Sequence, residues 1–277
     1  MKKIAVVIFS RNAQNNTNWG KVLQSYAEQD LSALRILTDS GSTDSTVAEA
    51  KRYGWQICHE DPDKFNHGLT RNRIAEKLLK DDFDIAIFAT QDVVLASNDT
   101  LTQLVNGLLN ENAAVAYARQ IPLTDKGMDS FFRRLNYPDV SMVKTSESIG
   151  ELGLMTPFCS DSLAAWDLKK VAAAGGFPET DFGEDMLLGT KFIMSGEKIL
   201  YCAESKCFHQ HNDNLKELFK RGTAIGRLHS RHPELRRDFG KAESCAAKRI
   251  PLKIKLRYFP QLAIKYLGYI IGKSRAK

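Results

Sequence analysis

The chain has 277 residues, 43% of them hydrophobic and 26% charged, with a formal net charge of +6 at pH 7. This is ordinary globular composition with ample length for a full core, arranged as one large domain plus a tail or as two small domains. No apolar run approaches the roughly 20 residues of a membrane span, and the five cysteines, Cys58, Cys159, Cys202, Cys207 and Cys245, form no Cys-x-x-Cys pair, which argues against a disulfide framework or zinc ribbon and for a reducing cytoplasm.

The predicted elements begin with a buried strand, Ile4 to Phe9; this apolar stretch is too short for a signal peptide, and Ser-Arg-Asn follows it instead of a small-residue cleavage site. A helix over Trp19 to Glu28, a strand over Leu34 to Thr38, a helix over Thr43 to Tyr53 and a short strand over Trp55 to Cys58 come next. They are followed by a helix from Leu69 to Lys80, an apolar strand from Ile85 to Ala89, a helix from Leu101 to Leu109 and a strand from Ala114 to Ala118. Residues 122 to 156 have weak periodicity and read as loops and short helices. A helix from Asp167 to Ala174 is stopped by Gly175 and Gly176; a helix from Glu184 to Met194, a strand from Lys198 to Cys202 and a helix from Leu215 to Leu228 complete the pattern. Strands alternating with helices predict an α/β fold, a mostly parallel central sheet flanked by helices.

In an open α/β sheet ligands bind beyond the carboxyl ends of the strands. Asp39 heads DSGSTDST after the second strand, and Thr-Gln-Asp, with Gln91 and Asp92, follows the fourth. Two carboxylates at one sheet edge suit a metal ion or a sugar nucleotide, although Gly41 with Thr43 or Asp44 also makes an ordinary turn and helix cap. In KFNHGLTRNRIAE, Arg71 shares a helix face with Ile74, Ala75 and Leu78, so its charge points inward and needs an anion; His67 reads as pocket wall or helix cap. Glu184 and Asp185 open a helix, where acids complement the dipole, but Asp185 shares a face with Leu188 and Phe192 and is a candidate general base. His209 and His211 lie on one side of an extended segment, as a metal pair or as hydrogen-bonded histidines.

The ordered set VVIFSRN, DSGSTDST, FNHGLTRN, ATQD, GGFPETDFGED and YCAESKCFHQH resembles the family 2 inverting glycosyltransferases of GT-A fold, and FNHGLTRN with TQD resembles their rhamnosyltransferase branch. The resemblance implies a nucleotide-binding half at 1–120 and an acceptor-binding half at 121–230 in a catalytic domain spanning 1–230. It implies that Asp39 receives the donor's nucleobase, that Arg71 contacts the base or diphosphate, and that His67 and Gln91 belong to the same pocket. Asp92 would hold a divalent cation, magnesium or manganese, with His209 as a further ligand, and Asp185, beside Glu184, would be the base. Two departures stand out: TQD lacks the first carboxylate of the usual DXD element, which bears on strict metal dependence, and Trp166 replaces a tyrosine–arginine pair and reads as pocket variation.

Residues 231–277 form a basic amphipathic extension: no acid follows Glu243, while nine Lys and Arg residues do. Leu262, Ile264, Leu267, Tyr269, Ile270 and Ile271 give it a broad apolar surface, which fits packing on the catalytic domain or a second subunit, or contact with an anionic membrane. The expected function is transfer of rhamnose from dTDP-rhamnose to a lipid-linked surface-polysaccharide acceptor at the inner face of the cell membrane. A UDP-sugar transferase of the same family and a non-catalytic nucleotide-sugar or membrane-binding protein are the alternatives. A nucleotidyltransferase is disfavoured, because SRNAQNNTNWG lacks a Gly- and Lys-rich phosphate loop. Nucleic acid is not an expected partner, since no recognition module is present.

Overall fold

The computed structural model describes residues 2–210, 213–240 and 250–275. Nine strands form one sheet: β1 (Ile4–Ser10), β2 (Leu34–Asp39), β3 (Gln56–His59), β4 (Ile85–Thr90), β5 (Val94–Leu95), β6 (Val115–Ile121), β7 (Met142–Lys144), β8 (Leu163–Asp167) and β9 (Ile199–Phe208). The order is β3-β2-β1-β4-β8-β6-β9-β5, with β7 also on β9. Strands β1–β4, β6 and β9 run one way; β5, β7 and β8 run against them. The helices are α1 (Ala13–Asn16), α2 (Trp19–Ala27), α3 (Thr46–Arg52), α4 (His67–Lys80), α5 (Thr100–Asn110), α6 (Met128–Asn136), α7 (Ile149–Leu152), α8 (Leu168–Ala173), α9 (Glu184–Met194), α10 (Leu215–Arg231), α11 (Pro233–Phe239), α12 (Leu252–Arg257) and α13 (Phe259–Ser274).

Side chains alternate along a strand, so a strand covered on both faces reads as a continuous apolar run. In β1, Ile4, Val6 and Ile8 enter one core with α2 and α5, whereas Ala5, Val7 and Phe9 enter the other with α4 and α9. The sheet thus separates two apolar layers, and the polar residues that follow its strands collect along one edge.

The structure keeps the predicted elements in order, adds β5, α1, α11 and α12, and differs from the sequence pattern in three further places. LAAWD, given no strand by the sequence pattern, forms β8 just ahead of the predicted helix, antiparallel between β4 and β6. Its alanines favour helix locally, yet pairing on both sides and burial on both faces outweigh that preference. Trp166 on this strand is fully buried among Phe177 and Phe192, which corrects its reading as a pocket residue. Strand β9 runs on to Phe208 because Glu204 and Lys206 face solvent while Ser205 and Cys207 face inward, the period of a half-buried strand. Residues 122–156 hold, besides loops and short helices, the strand β7.

Candidate active site

The parallel register aligns the ends of three strands: Ser10 pairs with Asp39, and Phe9 with Thr90. Asp39 is buried and accepts hydrogen bonds from the Ser42 N–H (3.0 Å) and the Ser10 hydroxyl (3.3 Å), with the Ser42 hydroxyl also upon it. Gln91 Oε1 accepts from the Arg11 N–H at 2.8 Å, tying the first and fourth strand ends together. Farther along, β5 and β9 pair Val94 with Phe208. Antiparallel register then sets Val93 opposite His209, and the neighbouring Asp92 meets the histidine, with His209 Nε2 3.1 Å from Asp92 Oδ2. Thr90 donates its hydroxyl to the other oxygen of Asp92 at 2.7 Å.

A cleft of about 610 Å³ opens beside this edge, lined by His67, Arg71, Asp161, Glu184, Asp185 and His209 among others. Asp39, Gln91 and Asp92 do not line it. His211 lies outside the described residues.

FNHGLTRN grips the acidic loop that precedes α9. The Asn66 side chain caps α4 by accepting from the Leu69 N–H at 3.0 Å and donates to Asp181 at 2.8 Å. Gly68 donates its N–H to Thr180 O at 3.0 Å, in so close an approach that a Cβ there would sit 1.8 Å from Pro178 O. Asn72 Oδ1 accepts from the Phe177 N–H at 3.0 Å. The anions that inward Arg71 meets belong to the chain itself: Asp161 Oδ2 lies 2.6 Å from Nε, and Glu184 Oε1 2.9 Å from a terminal nitrogen. Its guanidinium also stacks 4.5 Å over the Phe9 ring. Asp161 escaped the sequence reading, for it sits in a loop, CSDS, with no periodicity to give it a direction. Trp166 Nε1 holds its other oxygen at 2.8 Å, so the tryptophan in β8 was its one trace.

Asp185 stands on the first turn of α9, partly open to the cleft. Its oxygens accept from the Met186 N–H (2.7 Å) and the Asp161 N–H (3.3 Å). Burial, reinforced by the neighbouring carboxylates Glu184 and Asp161, pushes Asp185 up to about 8. Asp161 is raised in the same way, to about 6, with Arg71 pulling against the rise. Two carboxylates pair with one guanidinium here and a third stands beside them, so the site keeps a proton near neutral pH. This cluster is joined to the Asp92–His209 pair through Gln120, which donates to Ser160 Oγ (2.9 Å) and presents Oε1 to His209 Nδ1 (2.9 Å). Arg133 completes the junction, bonded to Gln120 and 3.1 Å from His209 Nδ1. Gln120 and Arg133 also escaped the sequence reading; Gln120 becomes a neighbour of His209 only once β6 pairs with β9, and Arg133 only once α6 packs beside that strand pair.

The chain matches no protein-family model. It is 34% identical over 285 residues to the O-antigen chain rhamnosyltransferase RfbN of Salmonella typhimurium, an alignment that covers 98% of this chain and 90% of that one. With the O-antigen chain rhamnosyltransferase WbaN of Salmonella anatum it shares 31% over 286 residues, 99% of this chain and 90% of the relative. Its fold resembles the S. aureus TarS 1–349 structure in complex with UDP-GlcNAc (TM-score 0.59, 13% identity, 98% and 90% of the two chains). It also resembles the mannosyltransferase PcManGT of Pyrobaculum calidifontis in complex with GDP-Man and Mn2+ (TM-score 0.57, 16% identity, 98% and 84%). With this α/β architecture and near full-length identity to named enzymes, the chain belongs to the rhamnosyltransferase-like glycosyltransferases of GT-A fold that act in polysaccharide synthesis.

Proposed function

We propose that the enzyme transfers rhamnose from dTDP-rhamnose to a lipid-linked saccharide with inversion, and that Asp185 is the general base. The observation that carries this reading is the placement of Asp185, a cleft-facing carboxylate of raised basicity connected through Ser160 and Gln120 to the Asp92–His209 pair. Its ionised form takes the proton of an acceptor hydroxyl as that oxygen attacks the anomeric carbon. The nucleoside diphosphate leaves from the opposite face, and a single displacement inverts the centre. Arg71 acts as a positioning residue, holding Asp161 and Glu184 beside the base. Asp39, at the end of β2, and Gln91, just after β4, receive the nucleoside end of the donor beside the cleft, with His67 in the cleft wall.

Asp92 and His209 fit a divalent cation. Their facing atoms stand 3.1 Å apart, the spacing expected of adjacent ligands on an ion about 2.1 Å from each. No group of three His, Cys, Asp or Glu able to hold a metal occurs among the described residues. Two protein ligands would therefore leave room for ligand oxygens and water, which suits Mg2+ or Mn2+. Such an ion would neutralise charge on the departing diphosphate. Nucleotide-bound neighbours carry UDP-GlcNAc or GDP-Man; the rhamnosyl donor is supported by the names of the relatives.

The C-terminal extension supports work at an anionic membrane face. Leu252, Leu256, Phe259, Leu267 and Ile270 are exposed, interleaved with Lys253, Lys255 and Arg257. Among the described residues no helix is long and apolar enough to cross a membrane. The test is a thermal-shift panel of dTDP, UDP and GDP with and without Mn2+, followed by transfer from dTDP-rhamnose. A shift selective for dTDP and product of inverted configuration are expected; a UDP-selective shift moves the enzyme to a UDP-sugar donor, and no shift removes the donor site.

A further inference from the structure

The cleft is closed on one side by the C-terminal helices, and their packing puts two cations into it. Helix α13 crosses α10 at glycine contacts from both partners. A Cβ on Gly222 would sit 2.0 Å from Lys265 O, one on Gly226 2.1 Å from Tyr269 O, and one on Gly272 2.1 Å from Thr223 O. Such contact is open only to residues without side chains, so the two backbones are held in one register. That register brings Lys265 of α13 and Arg221 of α10 into the wall of the cleft that Asp161, Glu184 and Asp185 also line.

The two cations are unequally satisfied. Arg221 pairs with Asp213 at 3.1 Å, and Asp129 pairs with Arg133 at 3.1 Å. Lys265 is half-buried, and no carboxylate among the described residues stands within ion-pair distance of its ammonium. Burial first, and Arg221 second, hold the ammonium below its usual range, while Asp213 and Asp129 offset this in part. A half-buried ammonium beside a guanidinium, facing a cleft, is costly unless an anion arrives there. Asp129 connects the spot, through Arg133 and His209, to Asp92.

We infer that Lys265 and Arg221 form a phosphate-receiving subsite in the cleft, supplied by the C-terminal helix pair. An ammonium and a guanidinium side by side suit a multiply charged, many-oxygen anion. The inference rests on the reading of this cleft as the donor and acceptor site. The phosphate belongs either to the nucleotide's diphosphate or to the phosphate that carries a lipid-linked acceptor.

Calorimetry on the full chain separates these sources, with dTDP, inorganic diphosphate and geranyl phosphate as probes for wild type, Lys265→Met and Lys265→Arg. For the diphosphate source, Lys265→Met weakens dTDP and inorganic diphosphate about tenfold, thymidine binding is unchanged, and Lys265→Arg recovers most of the loss. For the acceptor source, geranyl phosphate alone weakens. Arg221→Gln, at a part-exposed position, should weaken the same probe and serves as the second variant if Lys265→Met fails to fold. Unchanged affinity for all three probes in a folded variant overturns the subsite while leaving the donor site standing. A wild type that binds none of them overturns both.

Discussion

Asp185 occupies the first turn of α9, where free backbone N–H groups favour a carboxylate, yet burial beside Glu184 and Asp161 raises its pKa to about 8. The unfolded chain loses that proton near the ordinary value of about 4. Between those pH values the native state therefore holds a proton that the unfolded state has released, and the stabilisation present below pH ~4 is lost as pH rises through about 8. Asp185→Asn should remove this decline, so a pH series of melting temperatures should show the variant gaining on wild type as pH rises from ~4 to about 8 and no further above it. The same substitution should lower kcat by about 10² or more; full transfer by the variant would end its role as base. In wild type, kcat/KM should climb toward pH 8, with an apparent pKa that belongs to the three coupled carboxylates together. Arg71→Met leaves Asp161 and Glu184 buried without their cation, and urea titration should report a loss of about 3–5 kcal/mol. The inward face of Arg71 was legible from its spacing to Ile74 and Leu78, but its partners were not: Asp161 and Glu184 are remote in sequence, and helical periodicity reports only a direction.

At the scale of elements, the contact of α4 with the 177–181 loop explains why FNHGLTRN and GGFPETDFGED occur together. Gly68→Ala would drive a Cβ into Pro178 O, and overpacking of this kind costs about 1–3 kcal/mol or more. The variant should melt earlier and turn over more slowly, because α4 also positions Arg71. A Gly68→Ala enzyme with wild-type melting and rate would show that the contact can relax. Strands such as β1 and β4 were legible because burial on both faces leaves unbroken apolar runs. Strand β8 was not, because its small residues are dictated by neighbours on both sides and not by local preference. The full length of β9 was likewise hidden by the polar residues on its exposed face, so the family resemblance implied that Asp92 and His209 share one site but the local pattern gave no route by which they meet.

For the molecule as a whole, charge and apolar surface concentrate at the C-terminal helices, while Asp39, Gln91 and Asp92 sit along the sheet edge. Full-length protein should co-sediment with vesicles containing anionic phospholipid and not with neutral ones, and binding should weaken with salt as surface electrostatics are screened. Retention on neutral vesicles alone would assign the apolar face a different role, and concentration-dependent sedimentation without lipid would assign it to a second copy.

Alternating apolar runs and helical stripes determined the α/β class, the edge at which Asp39 and Asp92 lie, and the inward aim of Arg71 and Asp185. These are properties of segments a few residues long, and local periodicity reports them directly. Only the tertiary structure decided that Arg71 faces Asp161 and Glu184, that Gln120 and Arg133 meet His209, and that Lys265 reaches the cleft. Each of these joins residues from separate elements, and strand register and helix packing set the distances between them. The raised pKa of Asp185 belongs to the same class, since it arises from burial and charges that only the assembled fold brings together.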